Sequence, residues 1–171
     1  MNNSKYLYGA SVQGIQDFIF KTNKLKEIVG ASELVEQICT SKFKNSIKFK
    51  EKNLILNAAG NVKYIFETEQ DCKDMVLNFP KEIMEFAPGI TISQAVVKID
   101  GEKKLPAAIN ELEKKLKAQR NKATPPFEIG YMGLERSRRT GGIAFRTKEH
   151  KDDNEDNQYV CEATYIQSSR K

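Results

Sequence analysis

Three small residues, Gly30, Ala31 and Ser32, stand directly ahead of a stretch with helical apolar spacing, Leu34, Val35, Ile38 and Cys39. As a helix start they would turn open backbone amides toward an anion, and the helix dipole would favour a phosphate there. Lys24 and Lys26 lie just upstream and could reach the same anion. The same segment serves equally for close helix-to-sheet packing with Ser32 as a plain N-cap, so both readings stand. Further on, Arg136, Arg138 and Arg139 are of the type that clamps phosphates with paired N–H donors, although arginines in an irregular tail are more often surface residues.

Residues for other chemistries fall in patterns that do not support it. Cys39, Cys72 and Cys161 are widely spaced with no C-x-x-C, so neither a disulfide framework nor a zinc site is indicated. Cys39 and Cys72 sit on apolar helical stripes and read as buried thiols. The single histidine, His150, lies in a charged run, and Asp152, Asp153, Glu155 and Asp156 form a cluster of the solvated kind. Phe18, Phe20, Tyr64 and Phe66 are able to stack on bases, but their spacing favours core packing. No catalytic residue and no metal set is assigned.

The elements that must position these residues follow from apolar periodicity. Tyr6 to Val12 reads as a strand, and Gly14 opens a helix with Ile15, Phe18 and Ile19 at helical spacing. A second helix is expected from Ser32 to about Asn45. LILN at 54–57 and VKYIFE at 62–67 read as a hairpin, with Gly60 and Asn61 supplying the positive φ of a tight turn. Thr68 with Asp71 resembles a capping box ahead of Cys72, Met75, Val76 and Phe79; Pro80 is expected to interrupt that helix, with Ile83, Met84 and Phe86 continuing it for one more turn. ITISQAVVKI at 90–99 has strand composition, and Leu105, Ala108, Ile109, Leu112 and Leu116 mark a further helix. Past Arg120 the pattern weakens, with a polar loop at 148–158 and one more strand at 159–166.

This order predicts an α+β fold: a ferredoxin-like palm, RRM-like βααββαβ, with helices on one face of an antiparallel sheet, an extra C-terminal helix and an irregular tail. Residues 1–122 are read as the palm and 123–171 as an extension. A chain of 171 residues that is 39% hydrophobic and 30% charged suits one globular domain. It has no run of about eighteen apolar residues and no basic-then-apolar leader, so a cytoplasmic protein without membrane contact is expected. The net charge of +5 suits contact with phosphates, including RNA, and also suits plain solubility. The abrupt end at Arg170 and Lys171 is what a piece of a longer protein would show.

Three linked segments carry a family resemblance: GASVQGIQDFIF at 9–20, KLKEIVGASELVE at 24–36 and NAAGNVKYIF at 57–66. Together they resemble the palm of Cas10, the large subunit of type III CRISPR complexes, and its stand-alone relatives. The resemblance spans roughly residues 6–100, and RSRRTGG at 136–142 adds to it. It places the family's first-strand aspartate on Ser11 and its G-G-D-D stretch on Ala59, Gly60, Asn61 and Val62. A palm enzyme needs carboxylates at these places to hold two divalent cations, and none is present. Ser11 and Asn61 offer only neutral oxygens, which would bind magnesium weakly if at all.

The resemblance thus implies a degenerate copy without catalytic residues of its own. It would retain a site for ATP or another purine nucleotide, formed by Ser11, Gly30, Ala31, Ser32, Gly60, Asn61, Lys24 and Lys26, with Arg138 and Arg139 as further phosphate contacts. It implies a second, catalytic palm as partner, in second-messenger synthesis for antiviral defence. Two alternatives remain: a scaffold or oligomerisation module with an empty GAS segment, and a ferredoxin-like RNA-binding subunit.

Overall fold

Lys5 to Gln13 carries small or apolar residues on both alternating sets, as a strand covered on both sides must. In a computed structural model, which describes residues 4–21, 25–87, 89–100, 104–122, 146–148 and 158–160, this segment is the central strand β1 (Lys5–Gln13). There follow α1 (Ile15–Ile19), α2 (Leu25–Gln37), a π-helical turn (Ile38–Lys42), α3 (Phe43–Asn45), a 3-10 turn (Glu51–Asn53), β2 (Leu54–Ala58) and β3 (Asn61–Phe66). Then come α4 (Glu69–Phe86), β4 (Thr91–Ile99), α5 (Leu105–Arg120) and two short strands, β5 (Arg146–Lys148) and β6 (Gln158–Val160). The main sheet has the order β2-β3-β1-β4 and is antiparallel throughout, which is the expected α+β ferredoxin-like palm. β5 pairs with β6 in a separate antiparallel ladder. Lys24, the three tail arginines, Cys161, His150 and the acidic cluster lie outside the described residues, as does the expected last strand beyond Val160.

Helices cover both faces of the sheet, not one. Tyr8, Ala10 and Val12 of β1, with Val62, Tyr64 and Phe66 of β3, face a core built with α2 and α4. Leu7 points the other way and joins Ala95 and Val97 of β4 beneath Ala108, Leu112 and Leu116 of α5. That second set would lie open to water if all helices shared one side. Gly9 makes the close approach possible, because a Cβ there would lie 2.7 Å from Leu112 Cδ2 and 3.2 Å from Leu116 Cδ1. Lys63 of β3 forms an ion pair with Glu113 of α5 across the same seam.

The second helix begins at Leu25, seven positions before the expected cap. Gly30, Ala31 and Ser32 are therefore internal to α2, and their amides belong to its hydrogen-bond ladder. The physical reason is the stripe itself: fully buried Ala31 sits three residues before Leu34 and carries the apolar face N-terminally past the glycine. Ser32 Oγ donates to Ile28 O at 3.1 Å, the back-bond of a helix-interior serine, and it caps nothing. The Thr68 cap, by contrast, is as expected, with Thr68 Oγ1 accepting from Asp71 N–H at 3.2 Å.

Pro80 does not interrupt its helix, since α4 runs on to Phe86. A proline at that position withholds the N–H that Val76 O would otherwise accept. Gln94 of β4 supplies the missing donor, its Nε2 reaching Val76 O at 3.1 Å, while its Oε1 accepts from Tyr8 O–H at 2.5 Å. Phe18, Tyr64 and Phe66 are buried as expected, and Tyr64 meets Phe66 edge-on at 4.9 Å. Phe20 is the exception at 66% exposed. Gln94→Met should cost about 2 kcal/mol, because it leaves a carbonyl and a phenol without partners. The cost should be smaller in a Pro80→Ala background, where the residue-80 amide can serve Val76 O, and a denaturant double-mutant cycle measures the difference.

Candidate functional site

The hairpin joining β2 to β3 turns on two residues, Ala59 and Gly60, at φ 51° and 76°. Asn61, expected in the turn, is instead the first residue of β3, opposite Ser11 of β1. Gly60 is pressed against the start of α1: a Cβ there would lie 2.7 Å from Ile15 Cδ1, and Gly60 O accepts from Val12 N–H at 2.8 Å. The tip is thus fixed against the strand-to-helix corner.

Beside this tip, on the α2 side of the sheet, opens a cleft of about 520 Å³. One wall is Ser32, Val35 and Glu36 of α2, continued by Cys39 and Thr40 of the π-helical turn; the other is Asn57 to Gly60 of the hairpin, with Ile15 at one end. Of the expected nucleotide contacts, the structure brings Ser32 and Gly60 into this cleft. Gly30 and Ala31 are not among its lining residues, and Ala31 is fully buried in the core. Lys26 is exposed near the start of α2 and is not a lining residue either.

Asn57 was not singled out from the sequence, yet it is the most informative residue of the cleft. Its Oδ1 is buried and has no hydrogen-bond partner. Leaving such an acceptor unmatched typically costs about 1–3 kcal/mol. A β-bulge between Leu54 and Leu56 puts it there. Leu54 pairs with Tyr64, but after the extra residue Asn57 pairs with Val62, which faces α2. Without that extra residue the same asparagine would stand opposite Asn61, on the α5 side. An asparagine ending the apolar run LILN is the one sign of it in the sequence.

Cys39 lines the cleft as a buried thiol. Burial pushes its pKa up to about 11, opposed by a hydrogen bond with the Gly60 backbone. Cys72, on the core side of α4, is pushed up to about 11 by burial and then by the charge of Glu69. Neither is poised as a nucleophile.

Ser11 and Asn61 are brought together on the other face. Ser11, 3% exposed, donates from Oγ to Asn61 Oδ1 at 2.8 Å, and Asn61 Nδ2 donates to Ala59 O at 3.0 Å. Arg120, from the last turn of α5, donates from Nη2 to Ser11 Oγ at 2.7 Å. Sequence reading missed Arg120, because nothing in its local pattern separates it from the lysines around it. A hydroxyl, an amide and a guanidinium do not fit a divalent cation, which wants charged oxygens and no fixed positive neighbour. Among the described residues no group of three or more His, Cys, Asp and Glu is placed to hold a metal.

A second cleft, of about 480 Å³, lies at the far end of β3 near Phe66 and Glu67. Its Glu67 is held by Lys50 and Lys52, and its Glu82 accepts from Ser46 O–H.

No protein-family model matches the chain, and no curated protein matches it. Solved structures do. A Csm1–Csm4 cassette in complex with pppApApA superposes with a TM-score of 0.59 at 18% identity, covering 88% of this chain and 22% of that one. The likeness shows a shared fold. A Csm1–Csm4 cassette in complex with cA4 gives 0.58 at 19% identity, over 70% of this chain and 19% of that one. One in complex with one ATP gives 0.58 at 18% identity, with the same shares covered. This chain spans about a fifth of the length of the chains it matches. Among the described residues no helix is long and apolar enough to cross a membrane.

Thiol chemistry gives a direct check. In a Cys161→Ala background, Cys39 and Cys72 should resist iodoacetamide at pH 8 until denaturant is added. Both folded-state values lie above the ordinary 9.0, so the unfolded chain loses these protons first. The stability they contribute is complete below about pH 9 and is lost as the pH rises toward about 11, which denaturation midpoints across that window will show.

Proposed function

We propose that this chain is a catalytically degenerate Cas10-like palm that holds a purine nucleotide in the cleft between α2 and the hairpin and pairs with a second, catalytic palm. The observation that carries the reading is the unmatched Asn57 Oδ1 in a cleft that joins Ser32 to Gly60. A buried acceptor calls for a donor, and the exocyclic amine of a purine is one. The exposed Glu36 carboxylate on the opposite wall is a further acceptor, and Val35 and Ile15 offer apolar surface to the ring. The likeness to cassettes in complex with ATP and with oligoadenylates supports the same ligand class.

Pairing with another palm draws support from the α1–α2 corner. Leu25 and Val29 are one helical turn apart on α2 and are 75% and 57% exposed. Phe20, at the end of α1, adds to the apolar surface that this corner shows to water. The same observation is what a pure scaffold would show, and nucleotide binding separates the two. Second-messenger synthesis would belong to the paired partner, since Ser11 and Asn61 supply no carboxylate.

Calorimetric titration with ATP tests the reading. Wild-type protein should bind in the micromolar to millimolar range, and Ser32→Arg, which puts bulk into the cleft, should abolish the heat. Asn57→Leu should weaken ATP by about tenfold while raising the stability of the free protein by about 1 kcal/mol, because it removes an unmatched acceptor. No binding by wild-type protein that nonetheless self-associates would leave the scaffold reading in place of this one.

A further inference from the structure

Two ion pairs form around α5. Lys63 is paired with Glu113, and Lys115 with Glu111 at 3.0 Å. Arg120 has no carboxylate partner among the described residues; its one hydrogen bond there goes to the neutral Ser11 Oγ. Ser11 in turn is fully committed, its single hydroxyl proton going to Asn61 Oδ1. A guanidinium is therefore held in place by a buried hydroxyl while its other N–H donors meet no partner among the described residues.

Its position decides what those donors serve. Asn61 belongs to the Arg120 side of the sheet, and Gly60, the residue before it, lines the nucleotide cleft. The two sites are thus back to back across a two-residue turn. We infer that Arg120 is the phosphate-binding cation of this palm: a guanidinium built into the fold takes the triphosphate of a nucleotide whose base lies in the cleft, at the place where a divalent ion does not fit. The inference rests on the nucleotide reading above and adds to it a cation, a ligand end and independence from metal. Guanidinium suits the task because its planar fork donates two parallel hydrogen bonds to phosphate oxygens and keeps its charge at any working pH.

The test is calorimetry with adenosine, ATP and inorganic tripolyphosphate, each with magnesium and with EDTA, on wild-type protein, Arg120→Ala and Arg120→Lys. Arg120 is exposed at a helix end, and thermal melting by circular dichroism confirms that the variants are folded. Wild-type protein should bind ATP about tenfold or more tighter than adenosine, equally in EDTA. Arg120→Ala should bring ATP down to the adenosine level, leave adenosine unchanged and lose tripolyphosphate, with Arg120→Lys between. The inference is overturned if Arg120→Ala binds ATP and tripolyphosphate as wild type does, or if the wild type's preference for ATP over adenosine requires magnesium. Tripolyphosphate binding that depends on Arg120, with no binding of adenosine or ATP, would support the anion site and sink the purine reading. Silence with all three probes would overturn both.

Discussion

The contact between Gly9 and Leu112 governs the α5 side of the molecule. At that point the helix lies against bare backbone, with no room for even a methyl group. Because it lies so close, Ala108, Leu112 and Leu116 close over Leu7 and Val97, and β1 becomes a strand with no wet face along its middle. The same seating sets the far end of the helix above Ser11. A bulkier residue at position 9 would lift α5, and with it the guanidinium that now closes the end of the sheet.

The α2 side depends on irregularities. A π-helical turn brings Cys39 and Thr40 toward the hairpin, and a bulge in β2 swings Asn57 to meet them. Each departs from regular hydrogen bonding, and such departures often accompany functional sites. The firm core beneath them comes from rings: Phe43 stacks on Tyr8 at 6.2 Å and meets Tyr64 and Phe79 edge-on. Gln94 then ties Tyr8 to the carbonyl that Pro80 leaves without its usual donor, so the helix keeps its course through the proline.

Element order and type were legible in the sequence because apolar spacing alone carries them: β1, the hairpin, β4 and α5 follow their residues at period two or at steps of three and four. Boundaries were less so. α2 starts early because Ala31 is small enough to continue a buried stripe through a glycine, which a cap rule does not weigh. α4 continues because its compensating donor lies fourteen residues beyond the proline, on another element. Ser32 and Gly60, both expected at a nucleotide site, line one cleft, but Ser32 stands there with a side chain in the wall and not with a helix-start amide. Asn57 and Arg120 were hidden for the same cause in two forms. The face on which Asn57 falls is set by a bulge whose only sequence sign is an asparagine at the end of an apolar run, and the partner of Arg120 lies 109 positions away.

Arg120 also bears on how such a domain could change over generations. If aspartates stood at positions 11 and 61, they would meet a resident guanidinium before any ion from solution, and an arginine–carboxylate pair is a stable outcome in its own right. Two substitutions would then produce an ion pair, not a metal site. A metal site here would need a third change, at a residue that lies on another element and far along the chain. The arginine is thus a barrier to metal binding at this end of the sheet as well as a charge in the fold.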